Sequence, residues 1–134
     1  MENCLSIDVE GFVESNLESF HISNRYLDRA KENYEIEKNT DAFMGLLDES
    51  NIRATFFIVG RIAREMPQLV RRAASMGNEI GCHSYEHLRI FKLRQQQFKE
   101  GLLATKSAWR TSLVQGFMGF GRRISLSLRP RFGH

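Results

Sequence analysis

Apolar and polar positions along this chain follow two periods in turn, and the changes of period mark out the elements. Residues 4–9, CLSIDV, gather β-favouring side chains into a short run that ends in acids, the pattern of a first strand. A polar stretch follows from Glu10 to about Tyr34, with Phe12, Phe20 and Tyr26 scattered through it. Its weak periodicity predicts a long excursion holding one short helix. From 36 to 49 the period changes, and Ile36, Thr40, Phe43, Leu46 and Leu47 fall on one helical face; Asn51 is placed to stop that helix. RATFFIV at 53–59 is nearly continuous in apolar residues, so this second strand is expected to be covered on both faces, as in a parallel sheet. Gly60 is read as its end. Pro67 suits the first turn of the next helix, with Val70, Ala73 and Ala74 as its buried face and Gly77 as its C-cap. EIGC at 79–82 is a third strand, which delivers His83 at its carboxyl end. The last periodic segment covers about 94–109, with Phe98, Leu102, Thr105 and Trp109 on one side. Residues 113–117 offer a further short strand, and beyond them neither period is present.

Strands and helices thus alternate, which predicts an α/β fold with a parallel sheet. In such folds the chemistry collects at the carboxyl ends of the strands. Asp8 and Glu10 lie at the end of the first strand, and His83 and His87 lie just past the third. Topology brings these four separated residues to one rim.

Composition narrows the class without changing this picture. The 134 residues, 42% hydrophobic and 26% charged, make one ordinary domain's worth of chain. No apolar stretch approaches the roughly 20 residues of a membrane span, and MENCLSIDVEGF is not of signal-peptide type, so a cytoplasmic location is expected. Cys4 and Cys82 are read as buried reduced thiols, since the opposite ends of two parallel strands are poorly placed to bridge. Charge is more informative when divided. The net charge is +3, yet all 16 acids lie at or before Glu100, and the last 34 residues carry six bases, Lys106 to Arg131. A basic arm of this kind suits nucleic acid, but its arginines lack interleaved aromatics and the body is acidic, so no nucleic-acid partner is expected.

GCHSYEH at 81–87 carries the candidate chemistry. One turn of helix, or a turn-like loop, puts residues i and i+4 on one side, and two imidazoles so placed can bind a divalent ion, most commonly zinc. A catalytic site needs a third protein ligand and an open position. Asp8 and Glu10, two apart in an extended segment, face the same way; one can hold the ion while the other takes a proton from water. On these residues alone, which carboxylate does which stays open. A bare H-x-x-x-H pair also occurs in structural or surface roles. His83 to His87 fits H-x-x-E-H as well, the inverted zinc-protease pattern. That pattern requires a long helix and a glutamate well downstream, where Glu100 is the only acid.

Taken together and in order, LSIDVEGF, RATFFIVGRIA and GNEIGCHSYEH resemble the polysaccharide deacetylase family, the NodB-type or chitin-deacetylase-like metal-dependent carbohydrate esterases, over residues 4–105. The resemblance is to the branch with Asp-x-Glu or Asp-x-Asp in its first motif. It implies a distorted (β/α) barrel with Asp8 as catalytic base and with Glu10, His83 and His87 as ligands to a divalent metal. Zinc is the expected ion, and cobalt, iron and nickel also suit the ligands. The implied reaction is metal-dependent hydrolysis of an N-acetyl group on a carbohydrate, a C–N bond other than a peptide bond. The substrate would be an N-acetylated carbohydrate, with chitin-like, peptidoglycan and capsular glycans all open. The Thr55-Phe56-Phe57 strand is implied to pack and to do no chemistry.

The sequence also departs from the family. Many relatives carry an acid and a tryptophan where Gly11 and Phe12 stand. A later Arg-x-Pro motif and a still later histidine, the general acid, have no matching counterparts: Met118 and Gly119 follow Gln115-Gly116-Phe117, Arg129-Pro130 lacks the spacing, and His134 is the last residue. A (β/α) barrel takes roughly 200 residues or more. The expectation is therefore a partial (β/α) barrel whose C-terminal half is absent. Residues 1–117 would form a truncated deacetylase-like domain, and 118–134 an irregular basic tail foreign to the barrel, left by truncation or a frame change near Phe117. Such a chain is expected to be weakly active or inactive alone. The competing expectations are a non-catalytic metal-binding fragment and a nucleic-acid binder acting through the tail.

Overall fold

Phe56 and Ile58 are completely buried, as the apolar run around them predicts for a strand covered on both sides. That strand is the middle of a three-stranded parallel sheet. The structure, a computed structural model, describes residues 4–17 and 19–114. The strands are β1 (Ser6–Val9), β2 (Thr55–Ile58) and β3 (Glu79–Cys82), in the spatial order β1-β2-β3. The helices are α1 (Phe12–Asn16), α2 (Arg29–Glu49), α3 (Gly60–Glu65), α4 (Pro67–Ser75) and α5 (Gln95–Val114). Short 3-10 turns at Asn24–Tyr26 and Ile90–Lys92 break the loops. Among the described residues β1 and β3 are the sheet's edges, and no helix is long and apolar enough to cross a membrane.

The helix expected at 36–49 begins seven residues earlier. Asp28 caps it, its carboxylate accepting from the Lys31 N–H at 3.0 Å. Its buried positions are Glu32, Ile36, Thr40, Met44 and Leu47. Phe43 and Leu46, predicted to face inward, are 41% and 59% exposed. The stripe steps by four from Ile36 to Met44, and its first member is a carboxylate, which a search for apolar period cannot see. Asn51 does end the helix. It adopts φ 52°, and the N–H groups of Asn51 and Ile52 return to Asp48 O and Leu47 O at 3.0 and 2.8 Å, closing the left-handed terminal motif.

Gly60 opens α3 instead of merely ending β2. Pro67 then starts α4 as predicted. Leu69, Val70 and Ala73 are buried on α4, and Ala74 is only partly covered. Gly77 takes φ 82°, a conformation that disfavours any side chain, and its N–H and that of Asn78 close back on Ala74 O and Ala73 O. Buried Asn78 then joins helix to sheet: its amide donates to Ala73 O and accepts from the Ala54 N–H, both at 3.1 Å.

α5 lies across α3 and α4 and buries Thr105 and Trp109; Phe98, expected inside, is 37% exposed. The helix continues to Val114, so Leu113 and Val114 are helical where a strand was expected. The rest of that expected strand, and the tail at 118–134, lie outside the described residues. Cys4 and Cys82 are both free, as predicted, but Cys4 is exposed because it precedes β1.

Candidate metal centre

Strand register builds the site. Asp8, Phe57 and Gly81 are partners across the sheet, so Glu10, Val59 and His83 stand level two residues later. The ladder reaches that far, with Val59 N–H on Val9 O and His83 N–H on Ile58 O. Because β2 lies between, Glu10 and His83 belong to backbones about 10 Å apart. Two side chains close that gap. Glu10 Oε2 lies 3.1 Å from His83 Nε2 and 2.6 Å from His87 Nε2, and the two imidazole centroids are 4.9 Å apart. Asp8 stands further out: its Oδ1 is 4.0 Å from His83 Nδ1, and its side chain is 56% exposed against 28% for Glu10.

His87 reaches the site on a loop. Ser84 and His87 both adopt left-handed backbone, with φ 61° and 55°, which is costly for residues with a Cβ and needs outside support. Three contacts supply it. Ser84 Oγ accepts from the His87 N–H at 2.9 Å. Ser84 O and Tyr85 O accept from the Gly60 and Arg61 N–H groups at 2.9 and 3.0 Å. Those are the first two amides of α3, whose N-cap residue Val59 offers no side-chain oxygen. The loop caps the helix, and the helix fixes the loop. Close approach requires glycine at position 60, since a Cβ there would fall 2.6 Å from Tyr85 Cδ2 and overlap Thr105 Oγ1. The Thr105 hydroxyl donates to Gly101 O at 2.9 Å, with Ser84 O at 3.5 Å.

This geometry removes the inverted-protease reading, because no helix carries the histidines and Glu86 is exposed. It leaves Glu10, His83 and His87 with one ligand atom each, all within 4.8 Å of one another. Two imidazole nitrogens and one carboxylate oxygen are the donor set of a three-residue catalytic zinc site with an open position. Ligands at the usual 2.0–2.2 Å from such an ion stand about 3–3.5 Å apart, close to the Glu10 distances. The residues fit the group.

Beside the site lies a polar network that sequence reading missed. Arg61 and Glu14 pair with side chains 5% and 10% exposed. Arg29 also reaches Glu14, at 2.8 Å, and Glu65 closes on Arg61 at 2.6 Å. Burial works against ionisation of Glu14, but hydrogen bonds from Arg61 and Arg29 outweigh it and hold its carboxyl below the ordinary carboxylate value. A glycine directly between an apolar strand and a helix could have drawn attention to position 60. No sequence signal marks Arg61, since an arginine in a helix's first turn ordinarily reads as solvated.

Parallel strands alternating with helices, with side chains able to ligate a metal gathered at the strands' carboxyl ends, are the arrangement of an α/β protein of the (β/α)-barrel class. A peptidoglycan N-acetylglucosamine deacetylase of known structure shares the fold, with a TM-score of 0.59 at 22% identity over 82% of this chain and 40% of that one. The polysaccharide deacetylase family model matches residues 27–120, and the chain belongs to that family. A peptidoglycan-N-acetylglucosamine deacetylase of Bacillus cereus is 31% identical over 94 residues, 70% of this chain and 31% of its own. A chitooligosaccharide deacetylase of Sinorhizobium fredii is 38% identical over 71 residues, 53% of this chain and 33% of its own. The chain therefore spans less than half the length of these relatives.

Proposed function

We propose that this chain carries the metal-binding and base-bearing part of a hydrolase that removes N-acetyl groups from a carbohydrate. Glu10, His83 and His87 would hold a divalent ion, zinc in the first instance, and Asp8 would be the general base. The observation that carries this reading is the position of the Glu10 carboxylate, within 3.1 Å of both imidazoles, while Asp8 stands outside them. That arrangement favours Glu10 as the ligand and leaves Asp8 for proton transfer. A divalent ion in such a site supplies Lewis-acid polarisation of an amide carbonyl and lowers the pKa of a water. Asp8, on the same strand face as Glu10 and open to solvent, accepts the proton that the attacking water gives up. Protonating the departing amine needs an acid, and we assign none among the described residues, so the reading includes slow or absent turnover by this chain alone. The names of the relatives, deacetylases of peptidoglycan N-acetylglucosamine and of chitooligosaccharide, support an N-acetylated glycan as the substrate class.

The test is a zinc titration of the purified chain beside His83→Ala and His87→Ala, with acetate release from N-acetylglucosamine oligomers followed in parallel. We expect one ion per chain and a loss of affinity in both variants. Zinc bound equally well by wild type and both variants would remove the site.

A further inference from the structure

We propose that Arg61 is a positioning residue for this centre, holding the two segments that supply its ligands to one helix start. The proposal rests on the reading of Glu10, His83 and His87 as metal ligands. Arg61 faces both ways. Its backbone N–H binds Tyr85 O, in the loop between the two histidines. Its guanidinium turns to Glu14, four residues beyond Glu10, with Nε 3.1 Å from Oε2 and Nη2 on the same oxygen.

The segment after Glu10 has little else to hold it. α1 is five residues long and buries none of them, and Phe12 within it is 75% exposed. A helix with no fully buried apolar residue takes its place chiefly from polar contacts. Two are present. The buried Glu32 carboxylate accepts from the Val13 and Glu14 N–H groups at 2.6 and 3.1 Å, which fixes the start of α1 to α2. The Glu14–Arg61 pair fixes it to α3, and so to the histidine loop. The ladder bond from the Val59 N–H to Val9 O holds the chain just before Glu10; beyond Glu10, of the three contacts only the Arg61 pair ties α1 to the element that seats His83 and His87. The guanidinium is itself held in place: Glu65 and Asn33 lie 2.6 and 3.4 Å from Nη1, and Asn33 donates to Glu65 at 3.0 Å. A planar fork held on each of its nitrogens transmits position as a flexible ammonium would not.

Arg61→Met, Arg61→Lys and the paired Glu14→Leu/Arg61→Met test this, with His83→Ala as reference. The zinc dissociation constant is measured by competition with a chromogenic chelator, the visible bands of the cobalt-loaded protein by absorption, and the metal-free melting temperature by circular dichroism. Residues that orient metal ligands typically change affinity 10–100-fold. Arg61→Met is expected to weaken zinc binding by about that factor and to change the cobalt bands, with partial recovery in Arg61→Lys. The paired variant removes both buried charges, so it serves as the folded comparison should the single variant unfold; it is expected to lose affinity too. A purely structural Arg61 would lower the metal-free melting temperature while leaving the zinc constant and cobalt bands of the folded protein as in wild type, and that result overturns the proposal. Zinc binding that is absent in wild type, or indifferent to His83→Ala, overturns the ligand assignment itself. Binding that needs His83 but ignores Arg61 overturns the positioning role alone.

Discussion

Gly60→Ala is a sharp probe of how the histidine loop is seated. The added methyl carbon would lie 2.6 Å from Tyr85 Cδ2, about 1 Å inside ordinary carbon–carbon contact. Two responses are open. If the loop stays, the site is overpacked, at about 1–3 kcal/mol. If it retreats, the bonds from Gly60 and Arg61 N–H to Ser84 O and Tyr85 O are lost, each contributing about 1 kcal/mol. Either route costs about 2 kcal/mol, against up to about 1 kcal/mol gained because alanine favours helix over glycine. The net expectation is a loss of about 1–2 kcal/mol, together with weaker zinc binding, because His87 moves with the loop. Gly45→Ala is the control. Position 45 lies inside α2 with nothing within 4 Å of an added Cβ, so only the propensity term remains and the variant should gain up to about 1 kcal/mol. Urea denaturation at constant m-value reads both changes as shifts of midpoint in opposite directions. If Gly60→Ala were as stable as Gly45→Ala and bound zinc like wild type, the loop would not rest on the start of α3.

Three further outcomes are expected. Asp8→Ala should keep zinc affinity near wild type while Glu10→Ala weakens it about tenfold or more; equal losses in the titration would reassign the two carboxylates. Asn78→Ala strands the Ala54 N–H and frees Ala73 O from the side-chain amide, so denaturant unfolding should show a loss of about 1–3 kcal/mol with zinc affinity unchanged. Glu14 has a depressed pKa, so its contribution is complete above the ordinary carboxylate value and fades as pH falls through the depressed one. Wild type and Glu14→Gln should accordingly differ most in stability near neutral pH and converge in acid, and a gap that widens on acidification would refute that sign.

Much of this was legible from sequence because strands and ligands announce themselves locally. RATFFIV gave a buried strand, Pro67 and Gly77 gave the ends of a helix, and His83 fell at a strand's carboxyl end as the alternation required. What was missed is polar and long-range. Glu32 is buried because it caps another helix's amides, so an apolar period starts α2 only at Ile36. Phe43 and Leu46 are apolar yet face outward, so composition misplaced the stripe. Arg61 draws its burial from Glu14, 47 residues away, and nothing near it in the chain foretells that partner. The histidine pair was legible, but its support was not, since the carbonyls of Ser84 and Tyr85 bind a helix that begins more than twenty residues earlier.

One consequence follows from a sheet in which β2 separates the two ligand-bearing strands. Glu10 and His83 are 73 residues apart in the chain, so an ion gripping both would also be a cross-link. Pinning a loop of that size restrains the unfolded chain by about 4 kcal/mol, comparable to the whole margin by which a small domain stays folded. Zinc would thus act as a rivet across the sheet, and chelation should make the protein melt earlier even in an assay that never looks at catalysis.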